Sequence, residues 1–147
     1  MPTLAVNKRA HFDYEILEKF EAGIVLQGNE VKTVRGNRMG LLGAYVTISR
    51  GAAWLMGAHI PRYPQAGPQP GYDPDRNRKL LLHKREIKRL AGKLEQKGLT
   101  LVPISVYTKA SMIKLEFGLA RGKRQYEKRE SIRKRDVDRE IRRSLKG

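Results

Sequence analysis

Three histidines, His11, His59 and His83, are the side chains of this chain best suited to moving protons near neutral pH. Two of them converging on a phosphodiester would support RNA cleavage by general acid–base catalysis. They are far apart in sequence, however, with no carboxylate cluster or metal-ligand spacing beside them, so structural or stacking roles fit them better. The 147 residues include no cysteine. That excludes disulfides, thiolate nucleophiles and Cys-ligated zinc. The remaining chemistry belongs to cations. Arg76-Asn77-Arg78-Lys79, Lys84-Arg85 and Lys88-Arg89 follow closely on one another. Arg121 to Gly147 holds twelve Lys/Arg against five Asp/Glu, and the whole chain carries a formal charge of +16. Such groups track and neutralise phosphate. Nucleic acid is the first partner class this balance implies, and an anionic membrane surface the second. Tyr126 is the aromatic residue of the basic tail, suited to stacking on an unpaired base or to docking on the globular part.

The elements that must position these groups can be read from periodicity. Even positions from Phe12 to Leu26 are apolar except Glu18, which predicts a long strand able to bend at Gly23. Gly28 to Gly36 reads as one or two turns of helix, with Asn29 as cap and Gly36 as stop. Ala44 to Ser49 and Ala52 to Ile60 flank Arg50-Gly51 as a hairpin. Trp54 and Met56 on its second strand read as core. Five prolines between Pro61 and Pro74 argue against regular structure there. Asp75 then caps a helix from about Arg76 to Lys97, with Leu80, Ile87, Leu90, Ala91 and Leu94 as its apolar stripe and the basic strings on its opposite face. Leu99 to Tyr107 and Met112 to Ala120 are two more strands, with Pro103 marking an edge or a bulge. The fold class expected is mainly β: five antiparallel strands with a helix between the third and fourth, an OB-type barrel with added helices and a basic C-terminal tail.

From Arg121 onward there are too few apolar residues to bury a core. Residues 1–121 are therefore read as a nucleic-acid-binding barrel and 122–147 as a tail, disordered when free and able to become helical when the phosphates of a polyanionic partner neutralise it. No run approaches the roughly 18 apolar residues of a membrane helix, and Met1 to Arg9 has no apolar secretory core. A cytoplasmic protein with no membrane partner is expected.

A set of strings recurs here in a fixed order. They are Asn7-Lys8-Arg9-Ala10, Asp13-Tyr14, Phe20-Glu21-Ala22-Gly23-Ile24, Gly28 with Glu30-Val31-Lys32, Arg35, Arg78-Lys79-Leu80-Leu81-Leu82-His83, and Gly118-Leu119-Ala120-Arg121-Gly122-Lys123. In them the chain closely resembles the small protein B family, bacterial partners of transfer-messenger RNA. The resemblance implies an adaptor of trans-translation without catalytic activity, cofactor or metal. Such a protein binds the tRNA-like domain of transfer-messenger RNA, acts as a monomer in that complex, and helps deliver it to the stalled 70S ribosome.

The resemblance also implies an RNA-binding surface of Asn7, Lys8, Tyr14, Glu21, Glu30, Lys32, Arg35, Lys79, Leu81 and His83. Glu21, a carboxylate in a basic protein, would accept from a base edge or orient a neighbouring cation. Gly122, Lys123, Tyr126, Lys128 and Arg129 match the start of the family's ribosome-engaging tail, which probes the vacant decoding centre and message channel. The chain departs from the family pattern at Phe12, where a histidine is usual, and at Glu127, where Asp is common. Two other classes compete with the adaptor: a small basic ribonuclease and a basic structural protein of a ribosomal subunit.

Overall fold

The computed structural model describes residues 2–123 and 128–129. Among the described residues, seven strands and three α-helices follow one another in the order β1 (Thr3–Val6), α1 (Ala10–Asp13), β2 (Tyr14–Ile24), α2 (Gly28–Arg35), β3 (Tyr45–Ser49), β4 (Ala52–Met56), β5 (Arg78–Leu81), α3 (Lys84–Leu94), β6 (Leu99–Lys109) and β7 (Met112–Gly122). All strand pairings are antiparallel, and β7 pairs with both β2 and β6 while β6 also pairs with β3. The ring β3-β4-β5-β2-β7-β6 is thereby closed, and β1 adds to β6 beside it. Closure removes the open sheet edges that would otherwise recruit another chain.

The barrel interior is filled from alternate strand positions. Leu55, Leu80, Leu101, Val106, Leu115 and Phe117 are all buried, and Leu90 of α3 joins them. Phe20 stacks on Phe117 with ring centroids 5.5 Å apart. Each such side chain contributes about 1.5–3 kcal/mol on burial. Strand β6 is apolar on both faces because its outer side is covered as well. Val102, Ile104 and Ala120 form a second small cluster with Ala10 of α1, and Tyr14 and Ile16 pack against it. The register slips between Pro103 and Ser105, the bulge that a proline lacking an N–H donor requires.

Several expectations need correction. The strand predicted from Phe12 begins at Tyr14, and Ala10–Asp13 is a helical turn. Strand β1 adds a pairing that periodicity did not reveal. The helix predicted over Arg76 to Lys97 is two elements, β5 and the shorter α3. Arg78 and Leu80 point into the protein, and Lys79 and Leu81 point out. Trp54 and Met56 are not core, because Ala53 and Leu55 take the inward positions of β4. Asn29 is not the cap of α2. Gln27 is, and its backbone N–H donates to the Glu30 carboxylate at 2.9 Å.

Candidate nucleic-acid interface

One group of the expected RNA-binding residues lines two adjoining clefts formed by α2, β5 and the entry to α3. The first cleft, about 180 Å³, is bordered by Gly23, Val31, Arg35, Leu81 and Met112. The second, about 410 Å³, is bordered by Lys79, Leu81, His83 and Lys84. Leu81 belongs to both and is 54% exposed, as is Met112 at 52%. Gly23 sits directly across the ladder from Leu81. A Cβ at Gly23 would lie 3.4 Å from Leu81 Cδ1, so the glycine leaves room for this leucine on the outer wall. Lys32 and Arg35 lie one turn apart on the exposed face of α2. The Arg35 guanidinium donates to the Ser111 carbonyl at 3.0 Å, and Lys32 Nζ lies 5.5 Å from the Tyr63 ring. His83 is the exposed residue that precedes α3, where its backbone N–H faces the Glu86 carboxylate. Cations around exposed apolar side chains offer both phosphate contact and a surface for sugars and bases.

A second group gathers at the other end of β2. Tyr14 pairs with Gly122, and the Lys123 N–H donates to the Asp13 carbonyl at 2.8 Å. The Lys123 ammonium donates to the His11 carbonyl at 2.7 Å. The Asp13 carboxylate is shared by Arg9 at 3.2 Å and Lys128 at 3.4 Å. Partial burial would raise its pKa, but the hydrogen bonds and charges of Arg9 and Lys128 outweigh that and hold it below the usual value. Asn7 ties its loop to β6: its amide donates to the Pro103 carbonyl at 2.9 Å, and its oxygen accepts from the Arg9 N–H. Lys8 and Arg129 are exposed. Asn7, Lys8 and Tyr14 are thus neighbours of the tail root. About 30 Å of strand separates Tyr14 from Gly23 at 3.3 Å per residue. Tyr126 and the rest of the tail, 124–127 and 130–147, lie outside the described residues.

Two acidic residues resolve differently. Glu21, midway along β2, accepts from the Tyr107 hydroxyl and from Lys109 Nζ at 3.3 Å. The Tyr107 hydrogen bond is the main cause of its lowered pKa, with Lys109 and Lys114 adding to it. Burial, helped by the same bond, pushes the Tyr107 phenol up. Its carboxylate thus holds Tyr107 and Lys109 beside it on the sheet.

Glu30 is removed from the RNA-facing set. It is 1% exposed and faces inward, where the Arg78 guanidinium, at 0% exposure, donates to it at 2.6 Å and 3.1 Å. Arg76 also pairs with it, and the Tyr72 hydroxyl lies 3.1 Å away while donating to the Ile60 carbonyl. Burial opposes its charge, but the Gln27 N–H, Arg76 and Arg78 together hold its pKa below the ordinary value. Arg78 likewise leaves the basic face assigned to it.

The histidines do not converge. His59 pairs with Asp75 at 2.7 Å on the exposed surface, and His11 and His83 stand in the two separate groups above. Among the described residues no cluster of three or more His, Asp or Glu could hold a metal, and no helix is long and apolar enough to cross a membrane.

These surfaces sit in a chain whose residues 4–147 match the family model described as SmpB protein. The chain belongs to the SmpB family. It is 48% identical over 143 residues to the SsrA-binding protein of Thermosynechococcus vestitus, which spans 97% of this chain and 94% of that relative. It is 51% identical over 144 residues to that of a Sulfurihydrogenibium species, with 98% and 94% coverage. A solved chain described under "tmRNA-SmpB: a journey to the center of the bacterial ribosome" shares 46% identity. It superposes with a TM-score of 0.67 over 87% of this chain and 93% of that one. The family match takes in the barrel, both surface groups and the tail.

Proposed function

We propose that this protein is an RNA-binding adaptor of trans-translation. It binds the tRNA-like domain of transfer-messenger RNA and helps deliver it to stalled 70S ribosomes in the cytoplasm. It performs no catalysis of its own and binds the RNA as a monomer. The observation that carries this reading is the near full-length relationship, at about half identity, to proteins named for SsrA binding. The clefts lined by Arg35, Lys79, Leu81 and His83, with Lys32 one turn from Arg35 on α2, support it, since they combine cations with exposed apolar side chains.

The proposed division of labour is that 1–121 holds the RNA and 122–147 engages the ribosome. Gly122, Lys123, Lys128 and Arg129 root the tail beside α1. Tyr126 falls between Lys123 and Lys128 in the sequence, and the tail orders along the vacant message channel when rRNA neutralises it. A truncation after Arg121 tests the first half: it should keep transfer-messenger RNA binding, and complete loss would overturn the division. Proline at Arg133 or Arg139 tests the second. RNA binding should persist while peptide tagging on stalled ribosomes is abolished, and normal tagging would remove the helical tail from the mechanism.

A further inference from the structure

The outer face of the β3–β4 hairpin carries aromatic residues that neither surface group above uses. Tyr45 pairs with Met56, Thr47 with Trp54, and Trp54 in turn with Lys79 of β5. Residues directly opposite in antiparallel strands project to the same side, so these side chains share one face. Tyr45, Thr47, Trp54 and Met56 border an open groove of about 440 Å³, whose lining also includes Asn77 and the charged residue Arg50, with Lys79 beside Trp54 at its margin. Tyr45 is 49% exposed. The Trp54 indole N–H donates to the Ser49 carbonyl at 3.4 Å, which holds the ring across the hairpin. Large apolar rings on the water side of a small barrel gain nothing for its core, which Ala53 and Leu55 already fill from the same strand.

We propose that this face is a second RNA site, a stacking platform on which Tyr45 and Trp54 take an unpaired base while Arg50 and Lys79 hold the flanking phosphates. Two observations select RNA over an apolar protein segment. No acidic side chain borders the groove, so its charge complements a polyanion. The groove also adjoins the α2–β5 clefts: Lys79, the ladder partner of Trp54, lines the second cleft. Stacking tolerates any base because every base offers a π-face. The platform would therefore bind single-stranded nucleotides irrespective of sequence, next to the surface that recognises folded RNA. A fixed indole loses little freedom on binding, which favours affinity.

The inference rests on the reading of this chain as an RNA binder, and the test separates the two. Trp54 is the chain's single tryptophan, so its emission reports this groove alone. The full chain is titrated with labelled single-stranded oligoadenylate and, separately, with inorganic polyphosphate of matched charge. Anisotropy of the oligonucleotide, with polyphosphate as competitor, reads total binding. Oligoadenylate should quench Trp54 emission saturably, and polyphosphate should compete without quenching. Tyr45→Ala, which leaves the core intact, should weaken oligoadenylate binding at least about fivefold. Binding of the oligonucleotide without quenching, or equal quenching by polyphosphate, would overturn the platform while leaving the RNA-binding function standing. Quenching by RNA-free ribosomal protein alone would assign the face to a protein and would overturn it as well.

Discussion

Replacing Glu30 by Ala would strand the Arg78 guanidinium at 0% exposure. Its remaining partners would be the Ala58 carbonyl at 2.8 Å and the Tyr72 hydroxyl at 3.4 Å, neither of them charged. Breaking one side of a buried ion pair costs about 3–5 kcal/mol because the surviving charge stays desolvated. A domain of this size has a total stability of about 5–15 kcal/mol. Its unfolding entropy at the midpoint is about 0.25 kcal/mol/K, from about 2.1 cal/mol/K per residue. The melting temperature should therefore fall by about 12–20 °C. Thermal unfolding followed by circular dichroism at pH 7 measures it. Raising the salt to about 1 M should change the difference little, since a buried pair is poorly screened. Replacing both partners, Glu30→Leu with Arg78→Met, should recover most of the loss. A fall under about 4 °C for Glu30→Ala, the value of an exposed pair, would refute the assignment of a buried charge here.

Three further outcomes follow from the same geometry. Because Glu30 has a lowered pKa in the folded state, its contribution is complete above the unfolded value, near 4.5, and lost as pH falls through the folded one. The gap in melting temperature between the parent protein and Glu30→Ala should thus narrow below pH 4.5. Arg35→Glu combined with Lys79→Glu should reduce affinity for transfer-messenger RNA and flatten the log–log salt dependence by about two units, with the melting temperature shifted by no more than about 2 °C. Filter binding across a salt series reads both quantities, and unchanged affinity would remove these residues from the interface. Gly118→Ala should destabilise the barrel by about 1–3 kcal/mol in urea unfolding. A Cβ there would sit 2.7 Å from Ile16 Cγ2, with the Glu18 carbonyl and Ile104 closing the other sides.

The long strands were legible because one side-chain period persisted over many residues. The run from Ile16 to Ile24 and the alternation Ile113, Leu115, Phe117, Leu119 both survive in the structure. The hairpin turn was legible from Arg50-Gly51, and both residues take positive φ, 53° and 73°. Strand β5 was not. Four residues hold only two alternations, and Leu80 with Ile87 and Leu90 fits a helical stripe equally well. Arg78 was misplaced for a related reason: a charge reads as exposed unless its partner is in view, and Glu30 lies 48 positions earlier. Trp54 was taken as core on residue type. The smaller Ala53 and Leu55 fill the inward positions because the strand's parity, not side-chain size, decides which face a residue occupies. Of the site residues, Lys32, Arg35, Lys79, Leu81 and His83 came from matching strings. That Asn7, Lys8 and Tyr14 adjoin the tail root was invisible until β2 and β7 paired.

The Glu30–Arg78 pair is a poor source of net stability, since apolar side chains of similar volume would serve as well. Its position points to a different effect. Arg78 lies beside Lys79 on a strand of four residues, and a slip of one position would exchange the two faces. Lys79 and Leu81 would then turn inward, and Arg78 and Leu80 would face water. Hydrophobic burial alone discriminates weakly against that slip, because Leu80 and Leu81 are the same residue and Leu82 follows. The charge pair discriminates strongly. In the slipped register Lys79 would take the inward place, and its single ammonium could not reproduce the Arg78 fork, which donates to Glu30 through Nε and one Nη and to the Ala58 carbonyl through the other. Arg78 thereby sets which side of β5 faces the nucleic acid. Because Glu30 belongs to α2, the same contact fixes β5 against the helix that carries Lys32 and Arg35. The lock inside and the cleft outside are therefore built from alternate residues of the same two elements.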